Sequence, residues 1–478
     1  MPSTTDTSAP FRIAIVGGGI GGLACALFVH HHCTSSPISP PIHIDVYEQA
    51  SQYKEIGAGV GVGINAARLL HKIGIGDRLN AIAGHRTGIW ISFRRFDTSE
   101  DIVTMPVNDS QTVRQAPCAR TDLLDLLRET VEEREAATLH VKKHCKSVEE
   151  KSDIVNITFH DGTTASANLV IACDGIHSSV RSQFVPDNRA YSGQIAYRGV
   201  IPISSLSAWP FPSYSVAWLA KHRHFLVFPI SGNEKLNIVA FITKSEREVA
   251  DVKESWTSTC DRKEVEESFE GFDKTVQEVI SLMPEQPSKW KLNDRPPLDK
   301  WHYMDGKVIL LGDAAHAMLP HLGAGAGQAM EDGWILGRSL AEYLAGRPAS
   351  EASLVLNAGS THSSHFQSLS STAQLYQSVR LPRANKTQAT SRAAGNTYEM
   401  QTEDMIDKSF EECIPMIAER TRERMKWVWE EDLDAAYEKM RDGKAETSTK
   451  MDKIDGAKEE MSGLVNGQGE SQVAVEAR

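Results

Sequence analysis

The stretch that most constrains this chain lies near its start. An alternating apolar strand, Phe11-Arg-Ile-Ala-Ile-Val16, runs straight into Gly17-Gly-Gly19-Ile-Gly-Gly22 and then into Leu23-Ala-Cys-Ala-Leu-Phe28. A strand, G-x-G-x-x-G and an apolar helix start form a dinucleotide cradle. Gly17 permits the tight turn, Gly19 lets backbone N–H groups approach a pyrophosphate, and Gly22 lets helix and strand pack closely. A glycine-rich turn that holds no ligand is the alternative reading of the same residues. A second apolar strand, Ile42-His-Ile-Asp-Val-Tyr47, ends on Glu48, placed to take the adenosine ribose hydroxyls. The stretch between is longer than the usual ~20 residues and carries His30-His31-His32 and a Pro/Ser run from Ser35 to Pro41. No Cys/His pair at zinc spacing accompanies the histidines. They read as a solvated helix end entering a loop, and no metal site is expected.

Length and charge narrow the field. At 478 residues the chain has room for two or three domains with substantial cores. A hydrophobic fraction of 41% beside 24% charged residues is ordinary for a soluble globular protein. The net charge of −12, with no basic block to offset it, argues against a nucleic-acid partner. Seven cysteines are scattered along the chain, which fits reduced thiols in an intracellular, cytoplasmic protein and no disulfide framework. The first ten residues lack a charged-then-apolar pattern. No run of ~18 apolar residues occurs either, so neither a secretory signal nor a membrane span is expected.

Texture along the chain divides it. Residues 1–10 read as a loose tail, and strands alternate with helices over 11–185, as in a doubly wound sheet. Over 186–295 the runs turn β-rich, as in Ser215-Val-Ala-Trp-Leu219, Phe225-Leu-Val-Phe228 and Leu236-Asn-Ile-Val-Ala-Phe241. These predict an antiparallel sheet with one covered face. A strand returns at Lys307-Val-Ile-Leu-Leu311, opening a second part of the first domain over 296–385. Helices follow over 386–440, and the polar stretch 441–478 reads as disordered. The Ser/His/Asn-rich segment 350–370 reads as an irregular insertion.

Two further motifs complete a constellation. One is Leu169-Val-Ile-Ala-Cys-Asp174-Gly175-Ile-His-Ser178-Ser-Val-Arg181, an apolar strand ending in Asp-Gly. The other is Val308-Ile-Leu-Leu-Gly312-Asp313-Ala-Ala-His316-Ala-Met-Leu-Pro320, continuing into Gly323-Ala-Gly325-Ala326-Gly327. Gly312 allows close approach to a polyol chain, Asp313 can accept from its hydroxyls, and the small residues open a helix whose N-terminus favours negative charge. Taken singly, Asp-Gly is a common turn and Gly/Ala repeats can simply pack helices.

With three such motifs in this order, the chain resembles the single-component FAD-dependent aromatic hydroxylases of the para-hydroxybenzoate hydroxylase type. Within them it is most similar to the salicylate hydroxylase branch, and to fungal members of it. The branch-level likeness is carried by Glu55 to Ala66, Tyr191 to Gly199, Glu254-Ser-Trp256, Tyr376 to Ala384 and Trp427 to Asp432. The resemblance implies an α/β fold: a Rossmann-like FAD-binding domain with an inserted antiparallel β-sheet substrate domain and a helical C-terminal region. It implies FAD as cofactor, held by Gly17, Gly19 and Gly22 at the pyrophosphate and by Glu48 at the ribose. Gly59, Arg120, Asp174 and Asp313 are implied as further contacts, with Arg181 in support. Pro320, Gly323 and Ala326 would line the isoalloxazine ring. The family's leading His before that arginine is Ala119 here. Gly61-Val-Gly63-Ile-Asn-Ala66 superficially matches G-x-G-x-x-A, but it reads as a loop near the flavin ring.

The implied reaction uses NADH or NADPH and O2 to hydroxylate a small phenolic substrate through a flavin C4a-hydroperoxide, in a monomer or homodimer. The protein must then stabilise a phenolate, hold it near the flavin and exclude water. Arg198 is the first candidate for the phenolate's partner; a surface or flavin-clamping arginine is the alternative. His222 and His224 would share one strand face, and His224 could serve as base or as carboxylate partner. A solvated turn is the plain alternative for both. Relatives often carry Tyr-Pro where this chain has Phe228-Pro229, a lost hydroxyl for which Tyr197 could compensate. His316 reads as an orienter of backbone near the flavin. Three functions stay open: hydroxylation of an ortho-hydroxybenzoate with loss of CO2, tailoring of an aromatic polyketide without that loss, and a non-catalytic binding protein on this fold.

Overall fold

The structure, a computed structural model, describes residues 10–35, 41–53, 58–85, 88–107, 112–250, 252, 258–346, 368–422 and 424–443. Most of the two expected tails, most of the 350–370 insertion, Glu254-Ser-Trp256 and Glu55 to Gly57 lie outside these residues.

The fold is α/β, as expected. Among the described residues a six-stranded sheet runs in the order His302–Tyr303, Val308–Leu310, Leu169–Ala172, Phe11–Val16, Ile42–Tyr47, Thr138–His140. All neighbours are parallel except the short edge strand His302–Tyr303. Its strands are near-continuous Val, Ile, Leu and Ala because both faces are covered. In register, Val16 lies beside Tyr47 on one side and Ala172 on the other, and Ala172 lies beside Leu310. The three glycine motifs therefore follow the carboxyl ends of three adjacent strands, where doubly wound sheets bind their ligands. Helix Ile20–Thr34 covers one face and packs closely on helix Gly325–Ala345. A Cβ on Gly337 would come within 2.9 Å of the Phe28 carbonyl oxygen, so the small residues of that run serve packing as well.

His31 and His32 are not solvated. They end helix Ile20–Thr34 half-buried against Trp334, and burial, with the His31 charge next, pushes His32 down to about 4. No group of three or more metal-type side chains occurs among the described residues.

The second sheet has seven strands among the described residues, in the order Ser288–Asp294, Ala190–Pro202, Lys235–Thr243, Arg223–Ile230, Val216–Ala220, Ile89–Arg95, Asp101–Pro106. Its last two strands come from within 11–185, and Ile89–Arg95 joins it parallel to Val216–Ala220. The sheet is therefore mixed and is not confined to 186–295. Both faces are covered rather than one. Tyr197, Trp218, Phe225, Val227 and Ile238 pack on Phe269, Val276 and Val279 beneath. The other face carries His224 and Phe241 in one cross-strand row, then Phe93, Ala217, Leu226, Val239 and Arg198 in the next. The runs look continuous in sequence because each alternate residue meets a different covered face.

A single helix, Leu369–Tyr398, opened by a capping box at Ser368, passes through residue 385, where composition suggested a boundary. One of its faces is polar yet buried. Tyr376 donates to the Leu310 carbonyl (3.0 Å), Gln388 to that of Ala317 (2.8 Å) and Ser391 to that of Leu319 (2.6 Å). Arg380 donates to Asp332 Oδ1 (2.8 Å) and Glu331 Oε2 (2.5 Å), and Arg383 to both Glu331 oxygens (2.7 Å each). This helix fastens the strand and loops of the third motif.

Candidate active site between the glycine loops and the mixed sheet

A cavity of about 340 Å³ lies between the carboxyl ends of the parallel strands and the upper face of the mixed sheet. On the loop side its shape follows from backbone geometry. Gly17 has φ +106°, and a Cβ there would lie 2.3 Å from the Cys173 carbonyl oxygen; one on Gly22 would lie 1.9 Å from that of Gly17. A Cβ on Gly19 would meet nothing within 4 Å, so this residue leaves space open instead of filling a tight contact. Gly19 and Ala324 start helices Ile20–Thr34 and Gly325–Ala345, neither with a side-chain cap. Both helix starts line the cavity, so their first N–H groups are available to an anion.

Glu48 accepts from the N–H groups of Gly18 and Ala50, each at 2.8 Å, and so fixes the rim of the first loop. Gly312, at φ +63°, turns the chain so that Asp313 lines the cavity with its side chain open to that space. Burial pushes its carboxyl up, against the pull of His316, Arg120 and Arg181. Arg120, Pro320, Gly323 and Ala326 line the same space, Gly323 in a left-handed conformation at φ +59°. Gly59 lines it too, donates to Asn237 Oδ1 (2.6 Å) and is held against Phe228, whose ring a Cβ would strike at 2.6 Å.

Asp174 sits differently. Its side chain turns back into its own loop, accepting from the Val180 N–H (3.1 Å), and burial raises its carboxyl. Its Oδ1 is buried and without a partner among the described residues. Arg181 joins two motifs, donating to the Ile176 carbonyl (2.8 Å) and the Ala314 carbonyl (3.3 Å). His316 is held by Asp332 (2.6 Å), which also accepts from the Gly312 N–H (3.0 Å). The Gly61 to Ala66 segment is strand Gly59–Val62, paired with Ala116–Ala119 and followed by helix Ile64–Lys72, rather than a loop.

On the sheet side the structure brings Arg198 and His224 into the cavity. Arg198 stacks on the Trp290 ring (4.0 Å), and burial, with the Arg120 charge, pushes it down to about 9. His224 is buried, stacks on Phe241 (4.4 Å) and has its Nδ1 at hydrogen-bond distance from Glu399 Oε1 (2.9 Å). His222 is not on that face: it occupies a turn at φ +66° before the strand begins. Tyr197 is also not in the cavity. Strand alternation puts it on the opposite face, where its hydroxyl donates to Glu264 (2.7 Å), so it cannot replace a hydroxyl missing at Phe228.

Two residues escaped the sequence reading. His321, next to Pro320, lines the cavity 5.5 Å from His224, with Nε2 on Gln194 Oε1 (2.8 Å) and Nδ1 without a partner among the described residues. Burial, then the His224 charge, holds it well below its ordinary pKa. Glu399 is brought in by the end of helix Leu369–Tyr398. The position of His321 on the third motif was a usable signal; Glu399 carried none. Trp429 and Val428 of helix Lys426–Glu430 close the cavity with Trp90, whose ring meets that of Trp429 edge-on at 4.9 Å.

The loop side fits a flavin dinucleotide: two uncapped helix starts, open space above Gly19 and Gly323, and an acidic side chain for a polyol. Residues 11–358 match the FAD binding domain family, to which the chain belongs. It is 31% identical to a salicylate hydroxylase of Pseudomonas putida over 443 residues, 88% of this chain and 93% of that one. It is 30% identical to 6-methylsalicylate 1-monooxygenase of Aspergillus terreus over 446 residues, covering 88% and 90%. The fold superposes on a salicylate hydroxylase substrate complex with a TM-score of 0.70 at 28% identity, covering 90% of this chain and 98% of that one. The protein is an FAD-dependent aromatic hydroxylase of the salicylate hydroxylase-like branch.

Proposed function

We propose that the protein hydroxylates a small ortho-hydroxybenzoate or related phenol with NADH or NADPH and O2. FAD, when bound, supplies the redox and oxygen-transfer chemistry. Gly17, Gly19 and Gly22 would hold its pyrophosphate with the helix starts, Glu48 its ribose side and Asp313 its polyol. Pro320, Gly323 and Gly59 would flank the ring. The observation that carries the reading is a cation and an imidazole, Arg198 and His224, on the sheet face opposite those loops.

In this reading His224 accepts the phenol proton at Nε2, and Arg198 stabilises the phenolate by charge and hydrogen bonding. Leu226, Val239, Phe241 and Phe228 form an apolar wall that excludes water. The names of the two relatives described above support an ortho-hydroxybenzoate; Phe228, which offers no hydroxyl, favours a substrate with an alkyl substituent on that side. A second reading, hydroxylation of an aromatic polyketide without loss of CO2, draws on the same apolar wall. The test is the mass of the product from salicylate and 6-methylsalicylate with either nicotinamide. Gain of one oxygen with loss of CO2 supports decarboxylative hydroxylation. Gain of oxygen alone supports tailoring, and no oxygenated product from either removes the ortho-hydroxybenzoate reading.

A further inference from the structure

Glu399 is a fully buried carboxylate. Among the described residues it has no Lys or Arg within ion-pair distance; its one ionisable partner is His224, at 2.9 Å. The other acids buried in this half of the molecule are matched differently: Glu331 and Asp332 share Arg380 and Arg383. A carboxylate buried without a permanent cation is costly, so it is retained only where a partner becomes charged or a geometry depends on it. Its second oxygen accepts from the Thr243 hydroxyl (2.5 Å), and its backbone carbonyl accepts from the His222 N–H (3.0 Å). The two contacts tie the end of helix Leu369–Tyr398 to the strand beside His224 and to the turn that leads into the His224 strand.

With Nδ1 committed to Glu399, the His224 proton sits there and Nε2 carries the lone pair. Nε2 makes no hydrogen bond among the described residues, and the ring lines the cavity. The groups facing this imidazole are His321 from the third-motif turn (5.5 Å), Tyr398 from the helix end (5.6 Å) and the Phe241 ring stacked beneath it. Burial, then the charges of His224, Arg392 and Arg424, holds His321 well below its ordinary pKa. Glu399 is thus the one anion beside His224 among the described residues.

We propose that Glu399 is a positioning residue: it fixes His224 as the Nδ1–H tautomer with Nε2 toward the cavity, and it stabilises the imidazolium formed when a phenol is deprotonated there. This rests on the reading of His224 given under Proposed function. In the step, the phenol O–H bond breaks, an Nε2–H bond forms, and the electron pair stays on the phenolate oxygen; nothing is oxidised or reduced. The arrangement parallels the general device of an acid that orients a base without itself taking the proton.

The test has two arms. In the first, the FAD-loaded enzyme is assayed with salicylate and 6-methylsalicylate across pH. Glu399→Gln keeps the shape and the hydrogen bond but removes the charge. It should lower kcat on the order of 10²-fold, the lower end of what a positioned base contributes. It should also move the acid limb of kcat/KM down by roughly one pH unit. Glu399→Asp should restore the wild-type acid limb, and Thr243→Val, which spares the charge, should leave it in place. An unchanged acid limb in a folded, flavin-loaded Glu399→Gln enzyme overturns the proposal.

The second arm needs no turnover. In substrate-free protein labelled with 15N-histidine, the His224 signal, identified by its loss in His224→Gln, should report Nδ1 protonated and Nε2 bare. A protonated Nε2 overturns the proposal outright. If wild type oxygenates neither phenol while the tautomer is as expected, the reaction assigned above fails and the positioning of His224 by Glu399 survives.

Discussion

On the loop side of the cavity, three turns that follow neighbouring parallel strands are shaped by backbone constraints local in sequence, each confined to one short motif. On the sheet side, Arg198, His224 and Phe228 reach the same cavity from two strands, with their partners Trp290 and Glu399 supplied from 290 and 399. The first kind of wall is written in short motifs, because a positive φ or a close approach admits glycine alone. The second is written in strand alternation and register, and register depends on which strands pair, which no short window contains. A family can therefore keep its cofactor cradle readable while its substrate wall varies.

Particular residues show where the sequence stopped speaking. Gly17, Gly22 and Asp313 were readable because each one's role follows from its neighbours along the chain. Arg198 was placed in the pocket from a motif, and its strand does bring it there. Tyr197, one residue earlier, does not replace the hydroxyl absent at Phe228 as expected, since adjacent strand residues face opposite ways. His222 was assigned to a strand that starts one residue later. The sheet's two outer strands came from before residue 107, and nothing in their composition marked them as partners of Val216–Ala220. The buried arginines of helix Leu369–Tyr398 were quoted only as a resemblance. That an arginine there sits in the core follows from Glu331 and Asp332 lying about fifty positions upstream.

The sharpest way to break this comparison is a pair of glycine variants. Gly22→Ala should abolish the folded, yellow protein, because its methyl would meet the Gly17 carbonyl oxygen at 1.9 Å. Gly19→Ala should fold with a melting temperature close to wild type and lose flavin affinity, since that methyl intrudes only on the open space. Flavin absorbance of the purified variants together with their melting curves decides it. Equal behaviour of the two would show that the cradle is not governed by backbone contact.

Next in size is the buried ion network behind the third motif. Burial alone would raise the Asp332 carboxyl, but the charges of His316 and Arg380 outweigh it and hold it at about 2. A carboxyl depressed on folding contributes stability that is present above its unfolded value and lost as pH falls through its folded one. Asp332→Asn should therefore cost about 3–5 kcal/mol at neutral pH. The gap to wild type should narrow between pH ~4 and about 2. Chemical denaturation at a series of pH values checks this; a gap independent of pH would remove the charge from the account.

The substrate wall should respond in the opposite sense, losing activity while keeping fold and flavin. Arg198→Ala should retain FAD and lower substrate-stimulated NAD(P)H oxidation by roughly 10²–10³-fold, as for loss of one preorganised stabilising group. Steady-state oxidation with 6-methylsalicylate, set beside the flavin content, reads it. Loss of flavin instead would place Arg198 on the cofactor side and blur the division between the two walls.

The smallest expected effect falls where the two walls touch. Phe228 is on the sheet, yet its ring edge is what confines Gly59, and the Gly59 N–H is in turn held by Asn237, directly opposite Phe228 on the neighbouring strand. A hydroxyl at the end of that ring adds a polar atom at the boundary without altering strand register. Phe228→Tyr should leave the melting temperature and flavin content nearly unchanged. It should shift the ratio of kcat/KM between salicylate and 6-methylsalicylate toward salicylate by up to about tenfold, roughly one hydrogen bond in value. A change in flavin affinity without a change in that ratio would mean that Phe228 acts through Gly59 as part of the cradle. The division would then run through this residue and not between the walls.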